Sequence, residues 1–151
     1  KIFLASSVRA KSDVISVIKS VLERHNDSID LEYWKENQAP GNINEQLLKN
    51  IAACRYGLCY FSEEHSEDGH QFRDNPNVLF EAGMFHGRSD EMASSPKSWI
   101  PIRERNSPPI PFDFAQERII WVFRDEDGSL HTEKFERDLS LSLFELLSDK
   151  Q

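Results

Sequence analysis

The chain has 151 residues, a length that suits one domain with a sizeable core. Its 38% hydrophobic and 29% charged residues are those of an ordinary soluble globular protein. A net charge of −8 with no basic stripe argues against a nucleic acid held through many phosphate contacts, though not against a single nucleotide.

Lys1–Ser7 (KIFLASS) is a short apolar run ending in small polar residues, which predicts a buried strand and a turn. Ser12 is a cap for a helix carrying Val14, Val17, Ile18, Val21 and Leu22 on one face. Ile29–Trp34 reads as a second strand and Lys35–Asn42 (KENQAPGN), with Pro40 and Gly41, as a loop. Asn42 then caps a helix with Ile43, Leu47, Leu48 and Ile51 at helical spacing. Tyr56–Phe61 (YGLCYF) is too continuously apolar for a strand with one wet face, so it belongs at the centre of a covered sheet. Ser62–Asp74 is acidic and without period, a loop at that strand's carboxyl end. A helix over Asn75–Arg88 follows, then a polar linker, Ser89–Lys97. Trp99–Ile102 and Arg118–Phe123 are the fourth and fifth strands, separated by Asn106–Asp113, where three prolines bar regular structure. Asp125–Gly128 (DEDG) makes a turn, and Thr132 opens a last helix with Phe135, Leu139, Leu143, Leu146 and Leu147 inward.

Strands alternating with helices imply an α/β fold: a five-stranded parallel sheet wrapped on both faces, with ligands beyond the strands' carboxyl ends. The expectation is a single domain over 1–151. It starts at Lys1 directly on a strand, as a piece of a longer protein would. Cys54 and Cys59, in apolar surroundings, suit packed thiols in a reducing compartment, hence a cytoplasmic protein. No segment reaches the ~20 apolar residues that span a bilayer, so no membrane contact is expected of this segment.

The residue out of place is Glu81. Seven of the nine residues from Val78 to His86 are apolar or Gly, a pattern that predicts a helix buried on most of its surface. Asn75 is a good cap and Pro76 suits the first turn, which puts Glu81 near the electropositive end. A carboxylate there is either structural, paired with Arg73 or Arg88, or a catalytic group at the mouth of a nucleotide pocket. In the second case it stabilises the positive charge that builds on a sugar carbon as a glycosidic bond breaks. One carboxylate suffices when the leaving group is already activated, as a pyridinium is. Ser6 and Ser7, ending the first strand, offer hydroxyls and amides to a phosphate or ribose, or are ordinary turn serines. Trp34 stacks on a base or packs in the core. Asp74 and Asn77 flank the helix start, as ribose contacts or caps. Arg103 and Arg105 meet a phosphate or are solvated surface, the second reading being favoured. His65, His70 and His86 match no tight ligand spacing, so no metal is expected. No Walker sequence and no GxGxxG follows the first strand, against a P-loop NTPase or a Rossmann dehydrogenase.

The stretch NPNVLFEAGMFHGR resembles the Asn-Val-x-Phe-Glu-x-Gly segment of TIR-like nucleotide-binding domains from bacterial anti-phage defence effectors. The resemblance extends to KIFLASS, CRYGLCYFSE and PFDFAQERIIWV, the last where relatives tend to have Pro-x-Asp. It implies a flavodoxin-like TIR fold and hydrolysis of NAD at the nicotinamide–ribose bond, with Glu81 as the catalytic glutamate and Asp113 shaping the pocket. NAD is then the substrate, and no separate cofactor is implied. It also implies self-association, a neighbouring copy completing the site through Lys35–Asn42, and a cyclic-nucleotide sensor outside this chain. The chain departs from many TIR NADases at Asn77, where those have Trp. Two alternatives are a nucleoside 2-deoxyribosyltransferase, which attacks the same kind of bond with a glutamate, and a non-catalytic interaction module.

Overall fold

In the computed structural model the described residues are 2–25, 31–35, 43–65, 71–88, 98–109 and 118–148. The apolar runs form the strands β1 (Ile2–Ser6), β2 (Leu31–Lys35), β3 (Tyr56–Tyr60), β6 (Trp99–Glu104) and β7 (Ile120–Val122). They make one five-stranded sheet of order β2-β1-β3-β6-β7, every pair parallel. This is the flavodoxin-like order, whose topological switch lies between β1 and β3. The helices α1 (Ser12–His25), α2 (Ile43–Ala53), α3 (Pro76–Arg88) and α4 (Thr132–Ser148) cover it.

Alternation along the strands builds two separate cores. Ile2, Leu4, Tyr56, Leu58, Tyr60, Ile100, Ile102, Ile120 and Val122 face α1 and α4. Phe3, Ala5, Cys59, Phe61 and Trp99 face α2 and α3, where Leu47, Ile51, Val78, Ala82 and Phe85 meet them. The central strands are buried along their whole length, as expected for a parallel sheet covered twice. Among the described residues, no helix is long and apolar enough to cross a membrane.

Ser62–Asp74 is not a structureless loop: β4 (Ser62–Glu64) and β5 (Phe72–Asp74) pair antiparallel, Ser62 opposite Asp74. Strands of three residues are too short to print a period. Ser12 is the first helical residue, and the carbonyl of Lys11 accepts the amide of Ile15 at 3.3 Å. Ile15 is buried in α1, while Val17 is only partly so. Leu48 of α2 is exposed, since the buried stripe there is Leu47 and Ile51. Leu147 of α4 is half-buried at the margin of its core.

α3 buries one face rather than most of its surface. Val78, Glu81, Ala82 and Phe85 point inward, whereas Phe80 is 62% exposed and Gly83, His86 and Gly87 face outward. The fourth strand extends two residues further than the apolar run, through Arg103 and Glu104, both buried. Partners that neutralise them replace the apolar character the extension lacks.

Candidate active site

Asn75 fixes where α3 begins. Its backbone amide donates to the carbonyl of Phe61 at 2.8 Å, tying the helix start to the carboxyl end of β3. Its Oδ1 accepts the amides of Asn77 at 2.8 Å and Val78 at 3.1 Å, satisfying two donors that a helix leaves open. From there α3 runs back along the sheet until the carbonyl of Phe85 accepts the hydroxyl of Ser98, just before β6, at 2.7 Å.

Glu81 lies on the inward face of this helix and is 3% exposed. Six residues past the cap, it stands about 9 Å down the axis, inside the rim rather than on it. It sits against β3. Burial pushes the Cys59 thiol well above its ordinary value, and the charge of Glu81 adds to that rise. A carboxylate in this setting is poorly screened, so it acts strongly on any positive charge brought beside it.

The rim above Glu81 is organised by a second acid, Glu63 of β4, also 3% exposed. Its Oε1 accepts the Ser7 hydroxyl at 2.5 Å and Asn75 Nδ2 at 2.7 Å, and its Oε2 accepts Arg73 Nε at 2.7 Å. Burial raises the Glu63 carboxyl, but these three bonds and the charge of Arg73 outweigh it and hold it below its ordinary value. Ser7 Oγ in turn accepts the amide of Arg9 at 3.0 Å. Beside this hub a cleft of about 370 Å³ is lined by Arg9, Ala10, Lys11, Ser12 and Glu64. Lys11 and Glu64 pair at 2.6 Å.

The predicted site residues fall into distinct groups. Ser6 and Ser7 are both 2% exposed at the end of β1, Ser7 engaged with Glu63. Asp74 does not cap α3: its carboxylate takes Arg103 Nε at 2.8 Å and Nη2 at 2.7 Å. Arg103 is therefore not solvated surface. It is 3% exposed and also donates to the carbonyl of Pro108 at 2.5 Å, anchoring the Pro-rich segment to the rim. Asn77 is exposed at the start of α3. Trp34 pairs with Ala5 through the β2–β1 ladder, and its side chain is outside the described residues, as are Asp113 and residues 36–42. Arg73, one of the two arginines available to Glu81 by sequence, is held by Glu63 instead.

On the other face of the sheet, Glu104 accepts Tyr60 Oη at 2.7 Å and Arg124 Nε at 2.9 Å. Arg124 reaches on to Asp13 of α1 at 2.7 Å. Neither Glu63 nor this group was legible as a pair from sequence. The available signal was position: Glu63 follows directly on the buried YGLCYF strand, and Glu104 ends the next one. Among the described residues, no group of three or more His, Cys, Asp or Glu is placed to hold a metal ion.

The carboxyl end of the sheet thus combines a buried carboxylate on α3 with the Ser7 hydroxyl, the Glu63 hub and a capped helix start. No curated protein matches the chain. The family model for the TIR domain of CAP12/Pycsar effector proteins matches residues 1–95, which include β1–β5, α3, Glu63 and Glu81. With that match and the 2-1-3 sheet order, the chain belongs to the CAP12/Pycsar effector TIR family and is the TIR domain of an antiviral defence effector.

Proposed function

We propose that this domain is an NAD glycohydrolase that cleaves the nicotinamide–ribose bond. The observation that carries the reading is Glu81, a carboxylate 3% exposed on the inward face of α3 in a TIR-family fold. The C1′–N bond breaks with its electron pair going to nicotinamide, which neutralises the pyridinium and needs no proton. The ribose carbon becomes oxocarbenium-like, and the carboxylate of Glu81 stabilises it or orients its hydroxyls. Water then adds to C1′ and its proton leaves to solvent, so that NAD and water become ADP-ribose, nicotinamide and a proton. NAD is the substrate and no separate cofactor enters the reaction.

Ser6, Ser7, Trp34, Asn77 and Asp113 are the proposed substrate contacts. Asp74 serves the site indirectly, through Arg103. A second copy completing the site through 35–42, and a cyclic-nucleotide sensor elsewhere in the protein, belong to the same reading, which suits a family named for effectors.

Chromatography of NAD incubated with the domain at high concentration tests it, repeated with the full-length protein and its activator. Nicotinamide release is expected from wild type and its loss from Glu81→Gln. Activity of Glu81→Gln within about threefold of wild type, a barrier change under about 1 kcal/mol, removes Glu81 from the chemistry. Deoxyribosyl transfer between bases, without NAD cleavage, would identify a nucleoside 2-deoxyribosyltransferase instead.

A further inference from the structure

We propose that Glu63 is a positioning residue that locks the two walls of the site, the β1–α1 turn and the start of α3, into one unit. The kinetic part of this inference rests on the NAD-cleaving reading; the structural part does not. Glu63 bridges the switch point between β1 and β3, and its carboxylate is the common acceptor for a side chain on each wall.

The orientation of each partner follows from that carboxylate. Nδ2 of Asn75 donates to Glu63, so Oδ1 is turned to the amides of Asn77 and Val78. The two helix amides favour that orientation by themselves, and Glu63 reinforces it by taking the NH₂ end of the same side chain. A flipped Asn75 would set an NH₂ group against two helix amides. Ser7 spends its proton on Glu63, leaving its oxygen to accept the amide of Arg9. One buried acid thus reinforces the α3 cap and orients the Ser7 hydroxyl of the β1–α1 turn at the same time. Glu81 rides on α3 six residues beyond that cap, and Ser6 and Ser7 lie on the other wall. The separation of the proposed catalytic carboxylate from the proposed ribose contacts is therefore fixed at Glu63. Burying an ionised carboxylate at 3% exposure is costly unless donors surround it, and three do.

The test separates the link from the cap. Asn75→Asp caps a helix as well as Asn but sets a carboxylate against Glu63. Asn75→Ser also caps, adds no charge, and is too short to keep the bond. The double variant Glu63→Gln/Asn75→Asp restores the bond with donor and acceptor exchanged, and the Ser7 hydroxyl rotates to suit. For nicotinamide release from NAD, kcat is expected to fall at least about tenfold in Asn75→Asp, with KM changed less than about threefold. The double variant should return kcat to within about threefold of wild type. Each rate is measured well below that variant's own melting temperature, so loss of folded protein does not contribute. A kcat in Asn75→Asp within threefold of wild type, or a double variant as slow as the single, overturns the proposal.

Amide hydrogen exchange supplies a readout free of NAD. The amides of Arg9, Asn77 and Val78 should exchange at least about tenfold faster together in Asn75→Asp, and recover in the double variant. Asn75→Ser should move them the same way by a smaller factor, and it stands in should Asn75→Asp not fold. An Arg9 amide that exchanges as in wild type in either single variant overturns the coupling, whatever the enzyme does. A wild type that releases no nicotinamide while exchange changes as expected defeats the NAD reading and leaves Glu63 in place.

Discussion

The ring of Phe85 fills the space that a side chain at position 57 would need: a Cβ on Gly57 would stand 2.7 Å from Cδ2 and 2.9 Å from Cγ. This contact sets the height of Glu81. From Phe85 to Glu81 is four helical residues, about 6 Å of rise, and from Gly57 to Cys59 is two strand residues, about 6.6 Å. The two advances match, so seating Phe85 on Gly57 brings Glu81 level with Cys59, whose thiol responds to its charge. Gly57→Ala should lift α3 from β3 or strain the ring, at about 1–3 kcal/mol. For a domain of this size that is a fall in melting temperature of roughly 2–12 °C, and nicotinamide release measured well below it should fall as well. An unchanged melting temperature would show that the ring moves freely and does not set the height.

Glu81→Gln separates catalytic from structural use of the same carboxylate. Arg73 is committed to Glu63 and Arg103 to Asp74, so neither rim ion pair is broken by changing Glu81. A carboxylate held in an apolar interface for chemistry is a burden on the fold, and its neutral isostere should melt at or above wild type without ligand. A drop of about 8 °C or more would match the loss of a structural ion pair, about 3–5 kcal/mol when fully buried.

The sheet was readable from sequence because its central strands carry apolar residues on both faces, and YGLCYF cannot be placed anywhere else. Asn75 and Pro76 announced the start of α3 for equally local reasons. What escaped were the features made by distant partners. Ser7 and Glu63 are 56 positions apart, and Asp74 and Arg103 are 29 apart. No window on the sequence joins them, so the acids of β4 read as part of an acidic loop and the arginine of β6 as solvated surface. The outer face of α3 misled in the opposite sense. Phe80, Gly83 and Gly87 look like core in composition, yet a Cβ on either glycine would meet nothing within 4 Å. Composition reports what a helix is made of, and only packing decides how much of it is covered.

Acid should weaken the fold through Asp13 and Glu63. Burial raises both carboxyls, but hydrogen bonds and charge from Arg124 at Asp13, and chiefly the bonds from Ser7, Asn75 and Arg73 at Glu63, leave both below their ordinary values. A depressed folded value means the unfolded chain binds more protons in acid, so stability rises with pH across that window. The contribution is fully present above about pH 5 and is lost as pH falls through about 4 and below. Melting temperature should therefore be level from pH 7 to about 5 on this account and fall below it. Asp13→Asn should make the fall shallower, modestly, because that side chain is 42% exposed. A melting temperature that climbs between pH 5 and pH 3 would contradict the assignment.

Arg118 and Arg124 each bind a glutamate, in opposite surroundings. Arg118 and Glu145 pair at 2.6 Å but are 81% and 58% exposed, so Arg118→Ala should cost less than about 1 kcal/mol. Arg124 is 6% exposed and Glu104 1%, joined at 2.9 and 3.0 Å, and Arg124 also holds Asp13 and the carbonyl of Gly128. Arg124→Met would leave the charge of Glu104 buried, with the Tyr60 hydroxyl at 2.7 Å as its remaining side-chain donor among the described residues. Stranding a charge in this way costs about 3–5 kcal/mol, a fall in melting temperature of roughly 6–20 °C. The double variant Arg124→Met/Glu104→Gln removes both charges and should recover part of that loss, since Gln still offers an oxygen to Tyr60. Thermal melts of the three variants decide it. A double variant less stable than Arg124→Met alone would mean that Arg124 stabilises through Asp13 and the Gly128 turn rather than by neutralising Glu104.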